Sequence, residues 1–125
     1  MIKRLFILLL LTSCYTIDRD CDEFRTGEFE FSYELNDTIR KSTFIRTIDY
    51  EIEEYNNVID SSSISWVNNC EFILTKLNPK TNQEKRPVRI KIIRTYEDSY
   101  DFEYSSVNEP IVIKRGEVKR KRIKD

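Results

Sequence analysis

The sequence predicts an all-β fold, arranged as an antiparallel up-and-down meander of about eight strands. From Gly27 onward, apolar residues recur mainly at every second position, which is typical of strands with one buried face. Turn-forming residues recur at short, nearly regular intervals, as they do in β-sandwiches and barrels. No stretch carries a sustained apolar stripe of helical period.

The first half of this domain begins with its clearest strand. In residues 29–35, polar residues alternate with four apolar ones: Phe29, Phe31, Tyr33 and Leu35. Asn36-Asp37 supplies the turn that follows. Two further runs, 42–47 and 48–54, have Phe44, Ile48, Tyr50 and Ile52 at even-numbered positions, which predicts that these residues share one strand face. The alternation then assigns the acidic residues to the outer strand face, namely Asp49, Glu51, Glu53 and Glu54.

The second half begins with a predicted hairpin between runs 64–67 and 70–75. Asn68-Asn69 suits a type I′ turn between them, because Asn tolerates a positive φ. A polar loop at 79–87 follows, and then two alternating strands, with apolar residues at 88, 90 and 92 and aromatic residues at 100, 102 and 104. After a turn at 108–110, Arg115-Gly116 is predicted to turn a last hairpin.

The predicted topology follows from the short connections. Consecutive strands usually pair, so an up-and-down order is the default. The size is close to that of small streptavidin-like or trimmed lipocalin-like barrels, and an open rolled sheet is the alternative.

The composition of the 125 residues excludes several kinds of site. The chain has no His, so it has no imidazole base and no His metal ligand. Two Gly residues cannot build the glycine-rich loops that bind nucleotides. The acidic residues lack the spacing of an EF-hand loop. We therefore expect a non-enzymatic protein without a metal or another cofactor.

The amino terminus has the layout of an export signal. Two basic residues precede an unbroken apolar run at 5–11, which is far shorter than the about 20 residues of a membrane-spanning helix. Leu11-Thr12-Ser13-Cys14 resembles the lipobox of bacterial lipoproteins. The resemblance implies that Cys14 becomes the lipidated first residue of the mature protein, which anchors it to an envelope membrane. An ordinary secretory signal is the alternative.

This interpretation divides the chain into three parts. Residues 1–13 are a signal peptide, residues 14–24 a lipidated polar tether, and residues 25–125 the β domain. The protein is then exported to the periplasmic face or the cell surface. An oxidising compartment favours a disulfide between the two other cysteines, Cys21 and Cys70. The alternative is two free thiols, with Cys70 buried in a strand.

Several short segments resemble a group of short bacterial lipoproteins of no assigned activity, some of which are labelled as topoisomerase-related. These segments are residues 21–27, 45–47, 66–74 and 100–104, and they share the order Cys, Gly, Arg, Trp, Cys. The resemblance implies a fold and an envelope location, and it implies no function. Topoisomerase chemistry is not expected of a small exported chain without a nucleotide-binding loop.

The aromatic residues with inward parity form either a packed core or the lining of a cavity. They are Phe29, Phe31, Tyr33, Phe44, Tyr50, Trp66, Phe72, Tyr100, Phe102 and Tyr104. Arg46 shares the parity of Phe44, so it is predicted to point inward, and Arg94 shares the parity of the strand at 88–92. A buried Arg needs either a structural carboxylate or the anionic group of a ligand. The candidate ligand-binding residues are Arg46, Tyr50, Trp66, Tyr100 and Tyr104.

The carboxy-terminal region is strongly basic, with seven Lys or Arg among residues 114–124. The candidate surface patch for anionic partners consists of Lys119, Arg120, Lys121 and Arg122. The alternative is a charged strand that guards an exposed sheet edge. An exported protein is not expected to bind nucleic acid.

These observations favour a membrane-anchored lipoprotein with a non-enzymatic binding or interaction domain, whose partner is an envelope protein or a small molecule. A lipocalin-like carrier of a small apolar or anionic ligand is the alternative, and an envelope hydrolase is the third option. A cavity inside the sheet separates the first two.

Overall fold

The computed structural model describes residues 19–35 and 37–121. Within them, a short 3₁₀ turn at Cys21–Phe24 precedes eight strands. The strands are β1 (Gly27–Leu35), β2 (Thr38–Arg46), β3 (Tyr50–Tyr55), β4 (Val58–Asn68), β5 (Glu71–Lys76), β6 (Val88–Thr95), β7 (Ser99–Ser106) and β8 (Glu109–Arg120). Cys14, Asn36, Arg122 and the side chain of Tyr33 lie outside the described part of the chain.

The strands form one antiparallel sheet in chain order, which confirms the predicted all-β meander. The sheet also closes on itself, because residues 29–32 of β1 pair with residues 117–120 of β8. The open rolled sheet is therefore the wrong alternative. No helix in the described residues is long and apolar enough to cross a membrane.

The two ends of this closed sheet differ. The strand directions place the amino-terminal turn, the β2–β3, β4–β5 and β6–β7 connections and the end of β8 at one end. Cys21 and Phe24 are buried there, so the turn plugs this end of the ring. We name it the plugged end. Cys21 and Phe24 of the predicted tether are thus buried in the folded core.

A disulfide joins the plug to the sheet. Cys21 bonds to Cys70 across a sequence separation of 49, with the two Cα atoms 5.3 Å apart. The predicted bridge is thus confirmed, and the alternative of two free thiols is not. The bond attaches the amino-terminal turn to the β4–β5 connection, where the backbone carbonyl of Cys70 also accepts a hydrogen bond from Ile92 N–H at 2.8 Å.

The turns differ from the prediction in two places. The two-residue turn with positive φ lies at Asn56 and Asn57, with φ of 49° and 62°, and not at Asn68-Asn69. Residues 115 and 116 make no turn, since β8 continues through them. Gly116 faces inward instead, and a Cβ there would lie 2.8 Å from the rings of Phe31 and Phe102. This glycine therefore permits close packing of two rings inside the sheet.

The inner residues of β2 are even-numbered, whereas the inner residues of β3 are odd-numbered. Arg46 and Glu51 are cross-strand partners and share the inner face, and residues 47–50 form the turn between them. Thr47 N–H donates to the carbonyl of Tyr50 at 2.9 Å and closes this turn. Odd-numbered residues of β3 consequently point inward. The prediction that Ile48, Tyr50 and Ile52 are inner residues is wrong, and all three are exposed.

Candidate ligand cavity

The inside of the ring has a filled part and an open part. Next to the plug, buried core residues cluster inside the ring, and the largest fully buried side chains of the core are Tyr100, Phe24, Phe29, Phe72 and Ile92. Beyond this cluster lies a cavity of about 850 Å³ that opens to solvent. Its walls extend toward the end of the ring that holds the β1–β2, β3–β4, β5–β6 and β7–β8 connections. We call that end the open end.

Arg46 separates the core from the cavity. Arg46 is only 2% exposed, so its predicted inward orientation is confirmed. The three guanidinium nitrogens each have a partner: Nε donates to Glu51 at 3.1 Å, Nη1 to the Phe24 carbonyl at 2.9 Å and Nη2 to the Tyr100 hydroxyl at 2.8 Å. The guanidinium also lies within 4.7 to 5.2 Å of the ring centres of Phe72, Phe29 and Phe44.

These contacts favour the structural interpretation of Arg46. Burial lowers the pKa of Arg46, because it disfavours the charged form. The contacts with Tyr100 and Glu51 have the larger, opposite effect, so the pKa of Arg46 lies above its ordinary value. Burial likewise raises the pKa of Glu51, although Arg46 opposes the shift. Because Arg46 is held by β3, β7 and the plug, it links three parts of the fold, and each of its nitrogens is already engaged.

The cavity walls differ in chemistry around the ring. One wall is aromatic: the ring centres of Phe31 and Phe102 lie 5.6 Å apart, and those of Phe102 and Tyr104 lie 5.7 Å apart. A second wall is aliphatic, formed by Leu74, Val88 and Ile90. An acidic side follows on β2 and β3, where Ser42, Glu51 and Glu53 line the cavity.

Basic residues also reach the walls, and most of them are paired. Arg46 pairs with Glu51, and Arg115 contacts Glu103 at 3.1 Å. Lys114 of β8 lines the cavity, and its cross-strand partner is Tyr104. The lining is thus mixed, with an apolar part and both charges, which is the usual composition of a site for a small amphipathic molecule.

The structure brings together three of the five predicted ligand-binding residues. Arg46, Tyr100 and Tyr104 line the cavity. Tyr50 does not, because the parity change leaves it 49% exposed on the outer face. Trp66 does not line it either, since its indole packs on Phe72 near the plug and its Nε1–H donates to the Ile48 carbonyl at 2.9 Å.

Arg94 is also placed differently from the prediction. A register shift between Ile92 and Arg94 interrupts the pairing of β6 with β7, and the Arg94 side chain is exposed. Its guanidinium lies 5.8 Å from the ring centre of Tyr96, outside the cavity. Arg94 therefore cannot assist a ligand site next to Arg46.

The candidate basic patch divides into residues with different roles. Arg120 packs over the rings of Phe24 and Phe29 and donates to the Glu23 carbonyl, so it holds the plug. Lys121 pairs with Glu28 at 3.3 Å, and Lys119 is exposed. Residues 117–119 pair with β1 on one side and with β7 on the other, so the described charges of the patch do not guard a free edge.

Sequence reasoning missed Glu51 and Glu53 as inner residues and Ser42 as part of the cavity wall. The apolar parity of 48–52 pointed to the opposite face. The signal that identifies the inner face is the turn at 47–50, because a four-residue connection makes Arg46 and Glu51 partners on one face.

Comparisons with known proteins give no relative for this chain. No protein-family model matches it, no curated protein is similar enough to count as a match, and no solved structure matches its fold closely enough.

Proposed function

We propose that the protein is a non-enzymatic carrier that binds a small amphipathic molecule inside the closed sheet. The observation that carries this proposal is the cavity of about 850 Å³, which lies within the usual size range of ligand pockets. An interaction module without a ligand needs only a packed interior. The open cavity therefore favours the carrier among the functions expected from the sequence.

We further propose that the carrier is a lipoprotein anchored through Cys14, on the basis of Leu11-Thr12-Ser13-Cys14. The described chain enters the domain at the plugged end, through the turn at Cys21–Phe24. An anchor that is separated from that turn by six residues would leave the plugged end near the membrane and direct the open end away from it. Such an arrangement would leave the cavity accessible to molecules outside the membrane.

Apolar side chains at the open end support entry of an amphipathic molecule. Several are more than half exposed on strands or segments that begin or end there, namely Ile39, Val58, Ile59, Leu77 and Ile111. Ile111 is 92% exposed, in a part of β8 where the register with β7 shifts. These side chains are not part of the cavity lining, and they extend the exposed apolar surface around the open end.

The Val88→Trp variant tests the carrier function. Val88 is half-buried and lines the cavity, so the larger indole occupies space that a ligand needs. We expect the neutral fluorescent probe N-phenyl-1-naphthylamine to bind the unmodified protein, and the variant to bind it about tenfold more weakly or worse. Fluorescence titration measures both.

Lys91→Trp is the matched control, because Lys91 is an exposed residue of the same strand. This control should bind the probe as the unmodified protein does. Equal binding by Val88→Trp, with an unchanged thermal midpoint, would place the probe outside the cavity and remove the support for a carrier.

A further inference from the structure

The acidic side of the cavity contains a carboxylate that has no ion-pair partner among the described residues. Glu53 lines the cavity and is exposed to its interior. Among the described residues, no ion pair joins Glu53 to a Lys or Arg. The nearby cations are engaged elsewhere: Arg46 of β2 pairs with Glu51, Arg40 of β2 donates to the Tyr55 hydroxyl at 2.6 Å, and Lys76 of β5 pairs with Asp60 and Glu84.

The groups around Glu53 make this side of the cavity unfavourable for its negative charge. Its cross-strand partner on β4 is Asp60, and Glu51 is its inner neighbour on the same strand. Burial raises the pKa of Glu53 above its ordinary value, and Glu51 raises it further, against the opposing effects of Lys76 and of a hydrogen bond from Ser42. A positive charge placed in the cavity beside Glu53 would relieve this unfavourable environment.

The aromatic wall adjoins this carboxylate through adjacent strands. Ser42, which hydrogen-bonds to Glu53, is the cross-strand partner of Phe31. Phe31 packs against Phe102, and Phe102 packs against Tyr104, so three rings continue from Ser42 along the wall. Ring faces attract ammonium groups and also contact alkyl chains. A carboxylate beside aromatic rings is the chemistry that recognises organic ammonium ions.

We propose that the ligand of this cavity is a small amphipathic molecule with a positively charged nitrogen, held by Glu53 and by the rings of Phe31, Phe102 and Tyr104. This proposal rests on the carrier function. It replaces the expected anionic ligand, because Arg46 has its guanidinium nitrogens engaged within the fold. Lys114 of β8, the cross-strand partner of Tyr104, also lines the cavity and is the alternative contact for a negatively charged ligand.

Three ligands that share one alkyl chain test the charge preference: decyltrimethylammonium, decanol and decanoate. Each competes with N-phenyl-1-naphthylamine below its micelle concentration. We expect decyltrimethylammonium to displace the probe at a concentration about tenfold lower than decanoate does. Glu53→Gln should remove most of this preference and leave the displacement by decanol unchanged.

Glu54→Gln is the matched control, since Glu54 is the exposed neighbour on β3 and does not line the cavity. It should retain the preference of the unmodified protein. Decanoate that binds as tightly as decyltrimethylammonium, or a preference that survives Glu53→Gln, would overturn the proposal. If all three ligands bind equally and Val88→Trp blocks them, the carrier function stands and only its ligand class is wrong. If none of the three binds and the probe is not bound either, the carrier function itself fails.

Discussion

Replacing Glu51 with Ala should lower the free energy of unfolding by about 3–5 kcal/mol, the usual cost of removing one partner of a buried ion pair. Glu51 is 9% exposed, and it is the carboxylate that faces the buried guanidinium of Arg46. Without it, Arg46 keeps a charge that neither water nor another described carboxylate compensates. Urea denaturation followed by the fluorescence of Trp66, the only Trp, measures the change.

Two further variants separate this effect from a general sensitivity of β3. Glu54→Ala removes an exposed carboxylate from the same strand, and its effect should stay within about 0.5 kcal/mol. The double variant Arg46→Met with Glu51→Leu removes both charges, and we expect it to recover much of the lost stability. Equal stability of Glu51→Ala and Glu54→Ala would show that the Arg46–Glu51 pair does not have the assigned role.

The second large effect is expected from removal of the disulfide. The bridge between Cys21 and Cys70 closes a loop with a sequence separation of 49, for which chain entropy predicts about 4 kcal/mol. The double variant Cys21→Ser with Cys70→Ser should lose stability of this order. Phe24 then also loses the constraint that keeps the plug against the core. Denaturation with and without dithiothreitol measures the difference.

Reductant provides the internal control for this prediction. The unmodified protein should unfold at a lower denaturant concentration when dithiothreitol is present. The double variant should have the same denaturation midpoint with and without dithiothreitol. Identical midpoints for the unmodified protein in both conditions would mean that the bridge contributes nothing to stability.

Much of the fold could be predicted from the sequence because single strands have strong local patterns. The alternation in β1 and β7 and the pairing of Cys21 with Cys70 follow from side-chain period and from cysteine count. The inner face of β3 could not be predicted in this way. The apolar residues at 48, 50 and 52 suggest that even-numbered positions of β3 face inward. The length of the preceding turn instead places Glu51 and Glu53 on the inner face.

Closure of the sheet and the place of the cavity depend on contacts between distant residues. Gly116 has the sequence signature of a turn, yet it lies in β8 because the rings of Phe31 and Phe102 occupy the space of its missing side chain. The cavity residue Glu53 resembles any other surface acid in the sequence. Its position becomes evident only when β2, β3 and β4 are paired in register.

Native mass spectrometry of the protein isolated from the organism that produces it tests the central claim, that the closed sheet carries a ligand. We expect a small molecule with a positively charged nitrogen to remain bound to the unmodified protein, to dissociate on activation, and to be absent from Val88→Trp. The same spectrum measures the amino terminus, where loss of residues 1–13 and added acyl chains at Cys14 are expected. A protein that is free of any small molecule, and that binds neither the neutral probe nor decyltrimethylammonium, would contradict the account.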